Sequence, residues 1–210
     1  PLHKGTVKQH RATEARSMSA QAISDILARS ASVKLATAEQ CSDAALEASR
    51  MIATSLQGGG KLMLCGNGGS AGDAQHLAAE FVATLDHQRP RVGLAAIALT
   101  TDTSFITAYS NDFGFDGIFS RQVGTLGRKD DVLIGISTSG NSKNVVAAMK
   151  AARAGGISTI AFSGEAGGEI CDHADIAICV PSRTTMHIQE AHIALGHVIT
   201  LTVEQLLGHG

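Results

Sequence analysis

Short apolar runs alternate with longer segments of helical periodicity from residue 61 onward. The apolar runs are bounded by glycine or polar residues, which is typical of buried strands. They lie at residues 61–65, 94–99, 132–136, 157–162 and 175–180. Helical spacing predicts helices over about 70–84, 102–110, 116–126, 144–153 and 185–206. Strands that alternate with helices indicate an α/β fold, a doubly wound parallel five-stranded sheet in three αβα layers.

The segment before the first strand has helical periodicity and no strand of its own. Apolar positions such as Ile23, Ile26 and Leu27 predict two helices, over 18–36 and 38–56, before the glycines at 58–60. We expect these helices to pack on the sheet or on a neighbouring subunit. The polar residues 1–16 are predicted to be a flexible N-terminal segment, which divides the chain at 1–16, 17–57 and 58–210.

Composition excludes several classes of function. The 210 residues carry a net charge of -2, have no Trp and a single Tyr, so nothing favours binding to nucleic acid or to an anionic membrane. No apolar run approaches the length that spans a membrane, and a cytoplasmic protein is expected. The four cysteines form no C-x-x-C pair and are predicted to be buried, reduced thiols: Cys41, Cys65, Cys171 and Cys179.

Four hydroxyl residues lie between the third strand and its following helix: Ser137, Thr138, Ser139 and Ser142. The N-terminus of a helix has unpaired N–H groups and a positive dipole end, which together bind phosphate. A single hydroxyl would suffice to cap the helix, so four of them favour a phosphate site over capping alone.

A glycine-rich loop follows the first strand at the same edge of the sheet, where ligands of such folds bind. It lacks the spacing of dinucleotide and P-loop motifs, so no nucleotide cofactor is expected. Gly68 and Gly69 would let the backbone approach a small ligand, with Asn67 and Ser70 as hydrogen-bonding side chains. A tight turn capped by Ser70 is an equally good explanation.

The helices that follow carry titratable side chains. His76 and Glu80 share one helical face, with Asp73 one turn earlier, which suits acid/base chemistry or metal binding, although spacing alone favours an ordinary surface pair. In the last helix, spacing leaves open whether His197 acts with Glu190 or with Gln189. A core or interface histidine is the default for His192.

Three segments together resemble a known family: residues 65–80, 135–142 and 188–197 are similar to the sugar isomerase (SIS) domain, and more closely to its phosphoheptose isomerases. Residues 111–114 and 119–122 fit the same pattern, and the resemblance extends over about 40–208. It implies a flavodoxin-like sheet and a homotetramer with active sites at subunit interfaces. The implied reaction is the isomerisation of sedoheptulose 7-phosphate through a cis-enediol, the first step of ADP-heptose biosynthesis for the lipopolysaccharide core.

The resemblance also implies roles for single residues. Glu80 matches the catalytic base and His197 its partner acid. The phosphate cradle corresponds to Ser137, Thr138, Ser139 and Ser142, and the sugar-contacting positions to Asn67, Gly68, Gly69, Asn111, Asp112 and Gln189. In members that hold a metal, one zinc ion per subunit is bound at the positions of His76, Glu80, Gln189 and His197.

Two alternatives accompany this hypothesis. One is a non-catalytic binding protein of the type that associates with the DnaA replication initiator, in which the equivalents of Glu80 and His197 are replaced. Both residues are present here, which favours an enzyme. The other is an isomerase of a different sugar phosphate, because Thr84 stands where the family often has Arg and Met186 where some members have Asp.

Overall fold

The computed structural model describes residues 19–209, so the prediction for residues 1–16 lies outside the described part. Six helices and five strands follow one another within these residues. Their bounds are α1 Ala20–Gln57, β1 Leu62–Gly66, α2 Gly69–Val82, β2 Ala96–Ala98, α3 Thr103–Phe113, α4 Ile118–Leu126, β3 Val132–Ile136, α5 Lys143–Ala154, β4 Ser158–Gly164, β5 Ile176–Val180 and α6 Thr185–Leu206. Two short 3₁₀ turns lie at Phe115–Gly117 and Glu169–His173.

All five strands are parallel, in the order β2-β1-β3-β4-β5. The chain moves outward from β1 to β2 and then returns to the other side of β1 to form β3. The carboxyl ends of β1 and β3 are therefore adjacent at the point where the strand order reverses. This is the flavodoxin-like order, and ligands of such sheets bind at that point. The predicted fold class is confirmed.

The core consists of two apolar layers, one on each face of the sheet. On one face, α1, α2 and α6 bury residues such as Ile52, Phe81 and Ile199. On the other face, α4 and α5 bury Phe119 and Met149, among others. Strands β1 and β3 are buried along their whole length, which explains why they were recognisable as continuous apolar runs.

Helix α1 is a single helix of 38 residues, whereas the sequence predicted two. No glycine or proline interrupts the chain near Ala36, and the intervening Thr37 satisfies its hydroxyl by donating to the Val33 carbonyl at 2.8 Å. The helix begins with the Ser19 hydroxyl accepting from the Ala22 N–H at 3.1 Å. The helix packs against α6 and the sheet.

The four cysteines are free, as predicted, but only two are fully buried. Burial raises the pKa of the Cys41 thiol and raises that of Cys65 to about 12. Cys171 and Cys179 are half-buried, with their Sγ atoms 3.7 Å apart, well beyond a disulfide bond of about 2.05 Å. Between residues 19 and 209, no helix combines the length and the apolar character needed to cross a membrane.

Candidate active site

The loop from β1 to α2 is shaped by glycine. Gly68 has φ 55° and ψ -121°, a conformation that other residues rarely adopt, and it directly precedes α2. Ser70 lies within the first turn of α2, is 7% exposed, and packs against Gly66, where a Cβ atom would come within 2.8 Å of it. No side chain caps this helix within the described chain, so the alternative of a turn capped by Ser70 is wrong.

Asn67 is held by a residue that the sequence did not point to. Its side-chain amide exchanges two hydrogen bonds with Asn144 of α5, each of 2.8 Å. Asn144 is buried, and its Oδ1 also accepts from the Val145 N–H at 2.9 Å. Each side-chain amide has a second N–H, so Asn67 keeps a donor for a ligand while its orientation is fixed.

Gln189 of α6 lies over the start of α2. A Cβ atom on Gly69 would come within 2.3 Å of its Nε2, so any other residue there would require the Gln189 amide to move. Gln189 Nε2 donates to Asp73 Oδ1 at 3.5 Å. Burial raises the pKa of the Asp73 carboxyl, and its Oδ2 has no hydrogen-bond partner among residues 19–209.

Further along the same two helices, three titratable side chains meet. His76 Nε2 lies 2.8 Å from His197 Nε2 and 3.4 Å from Glu80 Oε1. All three ligand atoms lie within 4.8 Å of one another. The close approach of α6 to α2 depends on Gly196, since a Cβ there would lie 2.5 Å from Cδ2 of Leu77. The His76–Glu80 pair therefore belongs to a cluster that spans two helices and is more than an ordinary surface pair.

The structure also decides which residues of α6 face this cluster. Gln189 and His197 both face α2, whereas Glu190 faces α1, where it accepts from the Ser30 hydroxyl and lies 3.8 Å from Lys34 Nζ. The pairing of Glu190 with His197 is wrong. His192 is a core histidine, as expected: its Nε2–H donates to the Ser163 carbonyl at 3.0 Å, and burial lowers its pKa to about 4.

The hydroxyls of the loop between β3 and α5 converge on one another. Ser137 Oγ lies 3.0 Å from Ser142 Oγ and 3.4 Å from Ser139 Oγ. Ser142 is the N-cap residue of α5, yet among the described residues its side chain makes no capping hydrogen bond, and the first-turn N–H of Val145 is bound by Asn144 Oδ1 instead. Helix capping therefore does not explain these hydroxyls, which stand at a helix N-terminus as a phosphate site requires.

A second loop supports this hydroxyl loop from behind. Gly140, at φ 68°, is so close to the loop after β4 that a Cβ would lie 1.7 Å from the Gly167 carbonyl oxygen. The Gly140 carbonyl accepts from the Ile170 N–H at 2.9 Å, and Asn141 Oδ1 accepts from the Glu169 N–H at 3.0 Å. A cavity of about 300 Å³ opens beside Thr138 and Ser139.

The other predicted sugar contacts lie outside this cluster in the described chain. Asn111 and Asp112 are exposed at the end of α3, and Asn111 Nδ2 donates to Asp112 Oδ1 at 2.8 Å. Thr84 follows α2, with its hydroxyl donating to the Asp86 carbonyl at 3.2 Å, and Met186 is exposed in the first turn of α6. The roles assigned to Asn111 and Asp112 stay predictions.

An acid/base cluster and a hydroxyl-lined loop at the switch point of a parallel sheet define an enzyme of small phosphorylated substrates. The family model described as SIS domain matches residues 11–164, well over half of the chain. The chain belongs to the SIS-domain family, and within it to the phosphoheptose isomerases.

Relatives and solved structures support this membership over most of the chain. A phosphoheptose isomerase of Roseiflexus sp. is 51% identical over 183 residues, which cover 87% of this chain and 92% of the relative. One from Aquifex aeolicus is 49% identical and covers 88% and 96%. The structure of phosphoheptose isomerase GmhA from Neisseria gonorrhoeae superposes with a TM-score of 0.82 at 42% identity, covering 88% of this chain and 98% of that one. A phosphoheptose isomerase from Francisella tularensis gives 0.85 at 35% identity, covering 90% and 100%.

Proposed function

We propose that this protein interconverts sedoheptulose 7-phosphate and D-glycero-D-manno-heptose 7-phosphate, the first step of ADP-heptose biosynthesis. The observation that carries the proposal is the contact of Glu80 and His197 through His76, at 3.4 Å and 2.8 Å. The relatives named above are phosphoheptose isomerases, which supports the same substrate. They do not favour a DnaA-associating protein or an isomerase of another sugar phosphate.

The reaction needs a base for the proton that moves between C1 and C2, and an acid for the proton that moves between the two oxygens. Glu80 removes a proton from C1 of the ketose while His197 donates a proton to the C2 carbonyl oxygen, giving the cis-enediol. Glu80 then returns its proton to C2, and His197 takes the proton from the C1 hydroxyl, leaving the aldose. Protons balance, and no external oxidant or nucleotide is required.

The phosphate end of the substrate is assigned to the hydroxyl loop. The hydroxyls of Ser137, Ser139 and Ser142 lie within hydrogen-bonding reach of one another, so a single anion can contact all three. Binding at the phosphate places C1 and C2 at the acid/base cluster, which converts remote binding energy into orientation of the reacting carbons.

A zinc ion fits the donor set of this cluster. Two imidazoles and one carboxylate, with ligand atoms within 4.8 Å of one another, are donors that zinc accepts. The predicted fourth ligand, Gln189, has its amide turned toward Gly69 and Asp73, so its role as a ligand stays a prediction. When bound, zinc would polarise the substrate oxygens as a Lewis acid. His197 Nε2 cannot carry a proton while it binds an ion, so the acid role and the ligand role of this nitrogen are alternatives. Metal analysis of the purified protein tests this assignment.

An isomerase assay with a matched variant tests the function. The wild-type protein is given sedoheptulose 7-phosphate beside pentose and hexose phosphates, and Glu80→Gln, which keeps the side-chain shape, is assayed in parallel. We expect conversion of the heptose phosphate and a loss of at least about 100-fold in kcat for the variant, with an unchanged circular dichroism spectrum. Near-normal turnover by Glu80→Gln would refute the mechanism, and preference for a pentose or hexose phosphate would refute the substrate.

We infer that the protein is a cytoplasmic homotetramer whose active sites lie at subunit interfaces. Apolar side chains on the outer faces of α1 and α6 are exposed, among them Leu27, Leu35 and Val198, and an apolar groove of about 370 Å³ lies between the two helices. Free thiols fit a reducing compartment. Light scattering that gives less than four times the chain mass would contradict the tetramer.

A further inference from the structure

The loop between α2 and β2 folds back so that Arg91 lies against the end of α2. Its guanidinium donates to the carbonyl oxygens of Glu80 and Phe81, both at 2.9 Å. The last carbonyls of a helix have no partner within the helix, and its dipole favours a cation at that end. Arg91 therefore holds the end of α2 through the backbone of the residue that we assign as the base.

The same guanidinium connects α2 to α6. Arg91 Nε and Nη2 lie 2.7 Å and 2.6 Å from Glu204 Oε1, and the two side chains are only 3% and 7% exposed. The Leu85 N–H donates to the same oxygen at 3.4 Å. Glu204 follows His197 by seven residues, about two helical turns along one face of α6. A single buried ion pair thus connects the helix of the base to the helix of the acid.

We propose that Arg91 is a positioning residue of the isomerase, which sets the place of Glu80 relative to His197. The inference rests on the proposed function, because it concerns how the two assigned groups are held. A buried ion pair is weak evidence for stability, since desolvation of its charges offsets their attraction. Arg91 also donates to two helix-end carbonyls, of which that of Phe81 additionally accepts from the Leu94 N–H at 2.9 Å. Removal of Arg91 would therefore mainly release the Glu80 carbonyl, beside the 3.4 Å contact of His76 with Glu80.

The test compares two double variants that each remove a whole ion pair, so that no buried charge is left unpaired. The first is Arg91→Met with Glu204→Leu. The control is Lys61→Met with Asp131→Leu. It removes an ion pair in which Lys61 Nζ lies 2.5 Å from Asp131 Oδ2, at the opposite edge of the sheet, just before β1 and β3 begin. Melting temperature and circular dichroism report the stability lost by each.

For the first variant we expect kcat to fall about 10- to 100-fold, while KM for the sugar phosphate changes by less than about twofold. The hydroxyl loop lies on another part of the sheet, so phosphate binding is retained. The control variant is expected to keep the kcat of the wild type, even if its melting temperature falls by as much as that of the first variant. Equal kcat values for the two double variants, at equal folded fraction, would overturn the proposal.

Arg91→Lys supplies an independent arm. Lysine keeps the charge on Glu204, but its compact ammonium cannot hold the planar fork that reaches two carbonyls and a carboxylate. We expect the melting temperature of this variant to stay near that of the wild type and its kcat to fall several-fold. Wild-type kcat in Arg91→Lys would show that the guanidinium is not needed for positioning.

A spectroscopic measurement separates failure of this inference from failure of the proposed function. If the wild type isomerises no sugar phosphate, the function is wrong, and the imidazole ¹⁵N resonances of His76 and His197 then decide the positioning role. Shifts of both resonances in the Arg91→Met/Glu204→Leu variant, absent from the control, support it. Unchanged resonances in both variants would refute it.

Discussion

Single glycines decide where the polar side chains of this site can lie. Gly69 leaves space for the amide of Gln189, and Gly140 lets the hydroxyl loop approach the Gly167 carbonyl more closely than any side chain would permit. Both glycines act by the absence of a Cβ atom, and only Gly140 also has a positive φ. A glycine therefore lies beside each of the two parts of the proposed site.

The hydroxyl loop gives a prediction about substrate affinity. Alanine at both Ser139 and Ser142 removes two of the three converging hydroxyls, and Ser137 Oγ loses both of its hydroxyl neighbours. Two lost hydrogen bonds to a charged phosphate, at about 1.5–3 kcal/mol each, should raise KM by about 100-fold or more. Because the acid/base cluster is on other elements, kcat should change far less, which initial-rate kinetics with the heptose phosphate would show.

A matched control is Ser104→Ala, which removes an exposed hydroxyl from the first turn of α3. Its KM should equal that of the wild type. An unchanged KM in the Ser139→Ala/Ser142→Ala variant would show that the phosphate binds elsewhere.

The sequence pointed to some of these residues and missed others, for a physical reason. Residue types and spacing within one helix identified His76 with Glu80, and the density of hydroxyls identified Ser137–Ser142. Asn144 and Arg91 were missed because their partners, Asn67 and Glu204, lie 77 and 113 residues away, and no local pattern marks such a contact. The family resemblance, rather than spacing, singled out Gln189 and His197.

At the scale of elements, the site depends on two helices that run in the same direction. Contacts between the two helices follow the same order along both. They run from Gly69 with Gln189, through His76 with His197, to Leu85, just after α2, with Glu204. A parallel pair in register brings the donors of α2 opposite those of α6 one turn after another. Changing the distance between the axes would separate the acid from the base.

Gly196→Ala tests this close approach. The added Cβ would lie 2.5 Å from Cδ2 of Leu77, which is 2% exposed and has no room to move. Overpacking costs about 1–3 kcal/mol, of which about 1 kcal/mol is offset by the better helix propensity of alanine. We expect a lower free energy of unfolding and a reduced kcat, measured by urea denaturation and by steady-state kinetics.

Gly124→Ala provides the control within α4, where a Cβ would meet nothing within 4 Å. This substitution should raise the free energy of unfolding by about 0.5–1 kcal/mol and leave kcat unchanged. If Gly196→Ala also stabilised the protein at full activity, the separation of α2 and α6 would not be limiting.

The boundaries of an element were predictable where the residues that are buried in the structure match the apolar pattern of the sequence. Strand β3 and helix α6 occur at the residues expected, because one is apolar throughout and the other has a long apolar stripe. The division of α1 into two helices was wrong, since Thr37, where the two were separated, is buried within one continuous helix. A polar residue there interrupts the apolar pattern without ending the helix, because its hydroxyl donates to the Val33 carbonyl of the same helix.

At the scale of the whole molecule, α6 is the element that contacts α1, α2 and the sheet. Its Glu190 contacts α1, its His197 faces α2, and its His192 reaches the sheet at Ser163. Only one of these three polar contacts belongs to the proposed chemistry. The others fix the rotation of α6, so that Gln189 and His197 face α2.

The buried His192 predicts how the stability of the whole fold depends on pH. Burial lowers its pKa to about 4, below the ordinary histidine value of 6.5, so the unfolded chain takes up a proton first as the pH falls. The contribution is therefore complete above about pH 6.5 and is lost progressively toward pH 4. A pKa lowered this far corresponds to about 3 kcal/mol of unfolding free energy. In His192→Gln, whose amide N–H can still donate to the Ser163 carbonyl, this part of the pH dependence should disappear. Urea denaturation at pH 7 and at pH 4, at equal protein concentration, measures it as the difference between the two proteins, in which the other titrating groups cancel. Equal losses of stability in wild type and variant would show that His192 is not held neutral by the fold.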